Sequence, residues 1–133
     1  MKIKLRLLWV LASLMVITLP VSVALGHHSV AAGFEMDNEI SVTGKITRMD
    51  WINPHSRLYL EAQDENGETV LWLAWFDSSN NLYRRGWRAD DLPVGETITV
   101  SGFPARDGSD EIYGGETMLS DGRVLFAGNR AEY

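Results

Sequence analysis

From Ile40 to Thr47, apolar or small residues alternate strictly with polar ones. Ile40, Val42, Gly44 and Ile46 share one face, and Ser41, Thr43, Lys45 and Thr47 share the other. A period of two describes a strand with one buried face and is out of phase with a helix. The pattern returns at Leu58, Leu60 and Ala62, and again at Ile98 and Val100, and chain-turning residues separate these runs. Asn53-Pro54 makes a corner, because proline fixes its own φ and pushes the preceding residue out of the α region. "QDENGET" centres on Asn66-Gly67, a strong local hairpin signal, and Pro93 to Gly95 and Asp121-Gly122 mark further turns.

"VLWLAWF" is apolar on both faces, which predicts a third strand that is central or has one face covered by another element. In "DSSNNLYRRGW", Asp77 or Ser78 serves as N-cap and Gly86 as the stop, bounding a short helix. "RDGSDEIYGG" reads as a loop, and "ETMLSDGRVLFAG" as a last strand or a hairpin. Three strands, a short helix and two or three more strands, with Gly44 and Gly102 where strands bend, predict a mainly β fold. The expected form is a small five- to six-stranded OB-like barrel with one short helix between strands 3 and 4. An open sandwich or curved sheet is the alternative.

The residues before this pattern are of another kind. Lys2, Lys4 and Arg6 lead an apolar run from Leu7 to Leu19, Pro20 breaks it, and small residues follow to Ala24 and Gly26. That is the order of a secretory signal peptide over residues 1–26, removed on export. The apolar run is 13 residues long, short of the roughly 17 to 25 that a spanning helix needs. The expected organisation is therefore a leader over 1–26, an N-terminal arm over 27–39, a β-barrel domain over 40–128 and a C-terminal tail over 129–133. The mature chain is expected in the periplasm with no membrane anchor.

Loss of the leader removes three of the 12 basic residues and none of the 18 acidic ones, taking the formal charge from −6 to −9. A balance this acidic argues against nucleic acid, which demands clustered Lys and Arg, and it suits a protein with affinity for cations. The absence of Cys excludes disulfides and thiolate ligands. It also removes the acceptor for a lipoprotein's lipid.

"GHHSVAAGF", "WINPHSRLYL", "LYRRGW", "LPVGETITVSGFPARDGS" and "LSDGRVLFAG", in that order, resemble a family of small exported bacterial proteins catalogued as domain of unknown function 6152. The resemblance covers essentially the whole mature chain and implies a periplasmic β-rich domain, without an activity. Members typically carry Ala-x-Ala directly before the paired histidines. This chain has Ala24-Leu25-Gly26 there, which leaves cuts after Gly26 and after Ala24 both open.

A cut after Gly26 makes His27 the first residue. Its amine and ring Nδ1 then chelate one ion and a second imidazole completes a T-shaped set of three nitrogens, a histidine brace. A cut after Ala24 starts the chain at Leu25-Gly26-His27, whose amine, two deprotonated amides and imidazole wrap a square plane. Both arrangements select Cu(II), the second also Ni(II). His55 is the expected second imidazole, because the Asn53-Pro54 corner holds it rigidly at a strand end. His28 is a further ligand candidate, though adjacent side chains converge on one ion only with strain. The plain alternative is that His27 and His28 are solvated at a mobile terminus and His55 only bonds to its own corner.

Other groups yield less. Trp51, Trp72, Trp75 and Trp87 read first as core and rim packing; the second reading is a ring-stacking platform, with Trp75 and Trp87 as its best candidates. Arg84-Arg85 reads first as a cap on the last turn of the helix that interacts with its dipole, or as a pair for neighbours such as Asp90 and Asp91; the sharper reading is a clamp for a carboxylate or phosphate, with Arg85 as the ligand-binding candidate. The acidic loops lack the spacing of a calcium-binding hand and read as solvated turns. No GxSxG, HExxH, Cys nucleophile or phosphate loop is present, so no catalytic residue is assigned. Three functions follow: a periplasmic small binding protein that holds Cu(II), a metal-free OB-like module for a periplasmic protein or small ligand, and, as a distant third, a histidine-brace copper oxidative enzyme.

Overall fold

The computed structural model describes residues 32–128. Its strands are β1 Ile40–Asp50, β2 Arg57–Gln63, β3 Thr69–Trp75, β4 Thr97–Pro104, β5 Glu111–Met118 and β6 Val124–Phe126. They hydrogen bond in the order β3-β2-β1-β4-β5-β6, and a parallel pairing of β3 with β5 closes the first five into a barrel. Helix α1, Ser79–Arg84, and a 3-10 turn, Ala89–Asp91, lie between β3 and β4. This is the OB-like barrel that the strand order predicts, with β6 added as the return of a hairpin from β5.

β1 is the longest strand because it pairs with two neighbours, β4 along its first half and β2 along its second. A bulge between Ile46 and Arg48 lies where the β2 pairing begins to shift. Before it, Val42, Gly44 and Ile46 point inward; beyond it Met49 is the residue packed against the core while Arg48 is exposed. One extra residue thus moves the buried face from even to odd positions. The Thr47 hydroxyl donates to the Tyr59 carbonyl at this point.

Leu58, Leu60, Ala74, Phe76, Val100 and Ile112 fill the interior, and Leu82 of α1 and Trp87 close over them. The strand faces predicted for β1, β2 and β4 are those observed. β3 has neighbours on both edges, as its apolar character predicts, but its outer face is not covered: Leu71 is 57% exposed.

The predicted loop "RDGSDEIYGG" is a loop only to Asp110; from Glu111 it is β5. Its two glycines look like loop residues in the sequence, yet packing demands one of them. A Cβ at Gly114 would sit 2.3 Å from Cε1 of the Phe76 ring. On the facing strand a Cβ at Gly102 would lie 2.1 Å from the Tyr113 carbonyl oxygen. The close approach of β4 and β5 thus excludes a side chain at Gly102, and the Phe76 ring excludes one at Gly114.

Part of the expected 27–39 arm is docked on the barrel. Phe34 bridges to Ala105, is buried, and packs on Tyr113 with ring centroids 5.6 Å apart. Residues 27–31 and the tail over 129–133 lie outside the described residues.

Two outcomes test this packing. Gly102→Ala costs about 3 kcal/mol of stability through forced strand separation, read as a lowered urea midpoint. Thr117 is fully buried and its hydroxyl has no partner among the described residues. Thr117→Val keeps the shape, removes that orphan group and gains about 1 kcal/mol, a rise of roughly 4–8 °C in Tm.

Candidate functional site

His55 sits in the β1–β2 connection, and the corner before it is sharp, with Asn53-Pro54 in the cis form. The connection is fixed on the inside by Ser56, which is fully buried. The Ser56 hydroxyl donates to the Ile52 carbonyl at 3.3 Å, its N–H donates to the Asp77 carbonyl, and its own carbonyl accepts from Phe76 N–H. From the outside α1 holds the same loop: Ser79 N–H donates to the Ile52 carbonyl and its hydroxyl to Asn53 Oδ1.

With Ser56 turned inward, His55 is half-buried at the rim, and its Nδ1 lies 3.1 Å from the Phe76 carbonyl oxygen. A carbonyl only accepts, so Nδ1 carries a proton, and in the neutral tautomer that this bond selects the lone pair is on Nε2. Nε2 has no hydrogen-bond partner among the described residues. A backbone carbonyl that fixes the tautomer in this way is the usual companion of a metal-ligating histidine. Among the described residues no three His, Cys, Asp or Glu side chains gather where they would hold an ion. His55 is thus one donor in need of others, and His27 and His28 lie outside the described residues.

Asp77, read in the sequence only as an alternative N-cap, is the organiser of this rim. Ser78 is the N-cap, its hydroxyl accepting from Asn81 N–H. The Asp77 carboxylate accepts from Ser78 N–H at 2.6 Å, from Asn81 Nδ2 on both of its oxygens at 3.0 Å, and from Arg85 Nη1 at 3.1 Å. Partial burial pushes its pKa up, but the Ser78 N–H, Arg85 and Asn81 together outweigh it and hold the carboxyl below its ordinary value.

Arg85 therefore pairs with Asp77 and not with the expected Asp90 or Asp91; Asp91 pairs with Arg123 at 2.9 Å. The neighbour eight residues back wins because both ends of so short a helix lie within one side chain's reach.

The two tryptophans offered as a stacking platform do not share a surface. Trp87 is wholly buried, 5.0 Å from the Phe76 ring, with Nε1 donating to the Phe126 carbonyl. That removes it as a ligand platform and leaves the packing reading. Trp75 is half-buried on the outer face, donates to Glu111 at 2.7 Å across the β3–β5 seam, and faces the Arg57 guanidinium.

The acidic loops are turns closed by their own carboxylates. Asp64 accepts from the N–H groups of Glu68 and Asn66, and Asp107 from the hydroxyl and N–H of Ser109. These bonds hold both carboxyls below their ordinary pKa.

The chain belongs to the family described as Family of unknown function (DUF6152), whose model matches residues 15–113. That span takes in all three histidines, α1 and the first four strands. No curated protein matches the chain.

Because the folded pKa of Asp77 is depressed, its stabilisation is present above the unfolded value of about 3.9 and is lost as pH falls through the folded value. Asp77→Asn therefore lowers stability at pH 7 by about 1 kcal/mol or less, solvent screening limiting the pair with Arg85. The gap in urea midpoint from the parent closes as the buffer is acidified past the depressed folded pKa of Asp77, below the ordinary carboxylate range.

Proposed function

We propose that the chain, exported to the periplasm and trimmed of its leader, binds Cu(II) with nitrogen donors from its new N-terminus and from His55. Its role is carriage or buffering of the ion. The observation that carries this reading is the His55 ring, whose Nδ1–H is spent on the Phe76 carbonyl while Nε2 is left with a lone pair at a rigid rim.

The docked arm sets the reach of the terminus. His27 is seven residues from Phe34, a reach of at most about 25 Å when extended. Phe34 rests on Tyr113, the Cα partner of Trp75, one residue before the Phe76 that fixes His55. Gly33 and Phe34 run antiparallel to Ala105-Arg106, toward the β4–β5 loop.

With His27 first, amine, His27 Nδ1 and His55 Nε2 make the three-nitrogen brace, with His28 a further candidate ligand. With Leu25 first, the terminal tripeptide supplies four nitrogens and His55 is not needed. Both sets must shed protons, so uptake weakens below about pH 7.

The metal-free reading has one observation in its favour. The outer face of β2 and β3 presents Tyr59, Leu73 and Trp75, with Leu71 more than half exposed, which is the face that OB barrels use for ligands.

Intact mass of exported protein fixes the first residue, and Cu(II) titration follows. For a His27 start, His55→Ala weakens binding at least tenfold and alters the copper visible spectrum, and acetylation of the amine abolishes tight uptake. Unchanged spectra in both modified forms reject the brace; a Leu25 start with an unaffected His55→Ala variant assigns the ion to the terminal tripeptide. Absence of uptake by trimmed protein leaves the metal-free module.

A further inference from the structure

Beside the His55 connection the structure holds a ledge that neither the barrel nor the metal reading uses. Trp51 and Tyr83 pack with ring centroids 5.7 Å apart, joining the end of β1 to α1. Next to them Ile52 is 38% and Tyr83 47% exposed. Arg88 lies over the Tyr83 ring, its guanidinium carbon 5.2 Å from the centroid.

Arg88 is held in place from one side. Its Nη1 donates both to the Tyr83 carbonyl at 2.9 Å and to the Trp87 carbonyl at 2.7 Å. Nε and Nη2 have no partner among the described residues, so the free edge of the guanidinium is a fixed fork of two parallel donors, the geometry that takes one carboxylate.

Arg85 and Arg123 are neutralised by Asp77 and by Asp91 and Asp121, whereas Arg84 and Arg88 form no ion pair among the described residues. On a mature chain with twice as many acids as bases, Arg84 and Arg88 thus carry two positive charges without an acidic side-chain partner beside a Trp–Tyr pair. Tyr, Trp and Arg are also the residues that dominate binding energy at protein interfaces.

We infer that the ledge of Trp51, Ile52, Tyr83, Arg84 and Arg88 docks a partner protein that presents a carboxylate beside an apolar side chain, the carboxylate seated on the Arg88 fork. The inference does not depend on copper. An anionic membrane is the weaker occupant: the chain's net charge opposes it, and Arg88 is held by carbonyls and cannot extend toward headgroups. A patch this small belongs to the transient class of contacts.

The test is an NMR titration of the full mature protein with a soluble decapeptide rich in Glu and Leu. Parallel titrations use its Gln-for-Glu counterpart, inorganic phosphate and phosphatidylglycerol vesicles. Saturable shifts gather at the Trp51 indole, Tyr83 and Arg88 Nε–H with the acidic peptide, and its affinity falls about tenfold with the Gln peptide or in Arg88→Gln.

Because Arg88→Gln also frees two carbonyls, Tyr83→Ser serves as a second variant that leaves them bonded, and it too weakens binding about tenfold. Backbone spectra unchanged from the parent establish that both variants are folded; if Arg88→Gln is not, Tyr83→Ser alone decides. Any one of four results overturns the inference: no saturable shifts on the ledge, equal affinity for the Gln peptide, displacement by phosphate at equal concentration, or binding to vesicles alone.

Discussion

The barrel depends on how closely β4 and β5 can approach, because that approach lets β5 swing across to meet β3. Only three residue pairs, Leu73 to Trp75 against Glu111 to Tyr113, make the closing seam. Gly102 and Gly114 supply the missing volume on one side of it. On the outside the Trp75 indole donates across the seam to Glu111; on the inside the Phe76 ring occupies the space that a side chain at position 114 would take. Closure also gives Trp87 its place, since its indole spans from Phe76 to the Phe126 carbonyl and seals the end where β3 has already stopped.

The rim around His55 inherits its rigidity from that closed end. Phe76 contributes its ring to the interior and its carbonyl to the imidazole, so a core residue fixes the orientation of a surface ligand candidate. One residue further, Asp77 binds the β1–β2 connection at Ser56 through its backbone and both ends of α1 through its carboxylate. Core, loop and helix meet over these two consecutive positions. A side chain placed there is preorganised.

Much of this was legible in the sequence because it is written with period two. The inward faces of β1, β2 and β4, the turns at Asn66-Gly67 and Asp121-Gly122, and the helix bounded by Ser78 and Gly86 all follow from local chemistry. What was not legible is non-local. Gly114 reads as a loop residue until Phe76, 38 positions earlier, is seen against it. Arg85 has acidic neighbours on both sides in the sequence, and only the shortness of α1 decides for Asp77. The Trp75 and Trp87 indoles look equivalent in composition, yet one faces outward from a strand and the other is drawn inside because the chain after α1 must cover an open barrel end. The histidine at position 55 could be picked out, but not the tautomer its corner imposes, which depends on a carbonyl 21 residues away.

The bulge at Thr47 has a consequence for the whole outer surface. Were all the same residues held in an unbulged strand, the last third of β1 would keep its original phase, Arg48 would point into the hydrocarbon interior, and Met49 would be left in water. Instead Arg48 lies 3.9 Å over the Tyr59 ring. Loss of the Thr47 codon would therefore leave the two sides of the strand as they are, because removing the extra residue restores plain alternation with Ile46 and Met49 inward and Arg48 outward; an added or lost residue beyond the bulge has no such refuge and exchanges wet and dry sides up to the corner that carries the histidine.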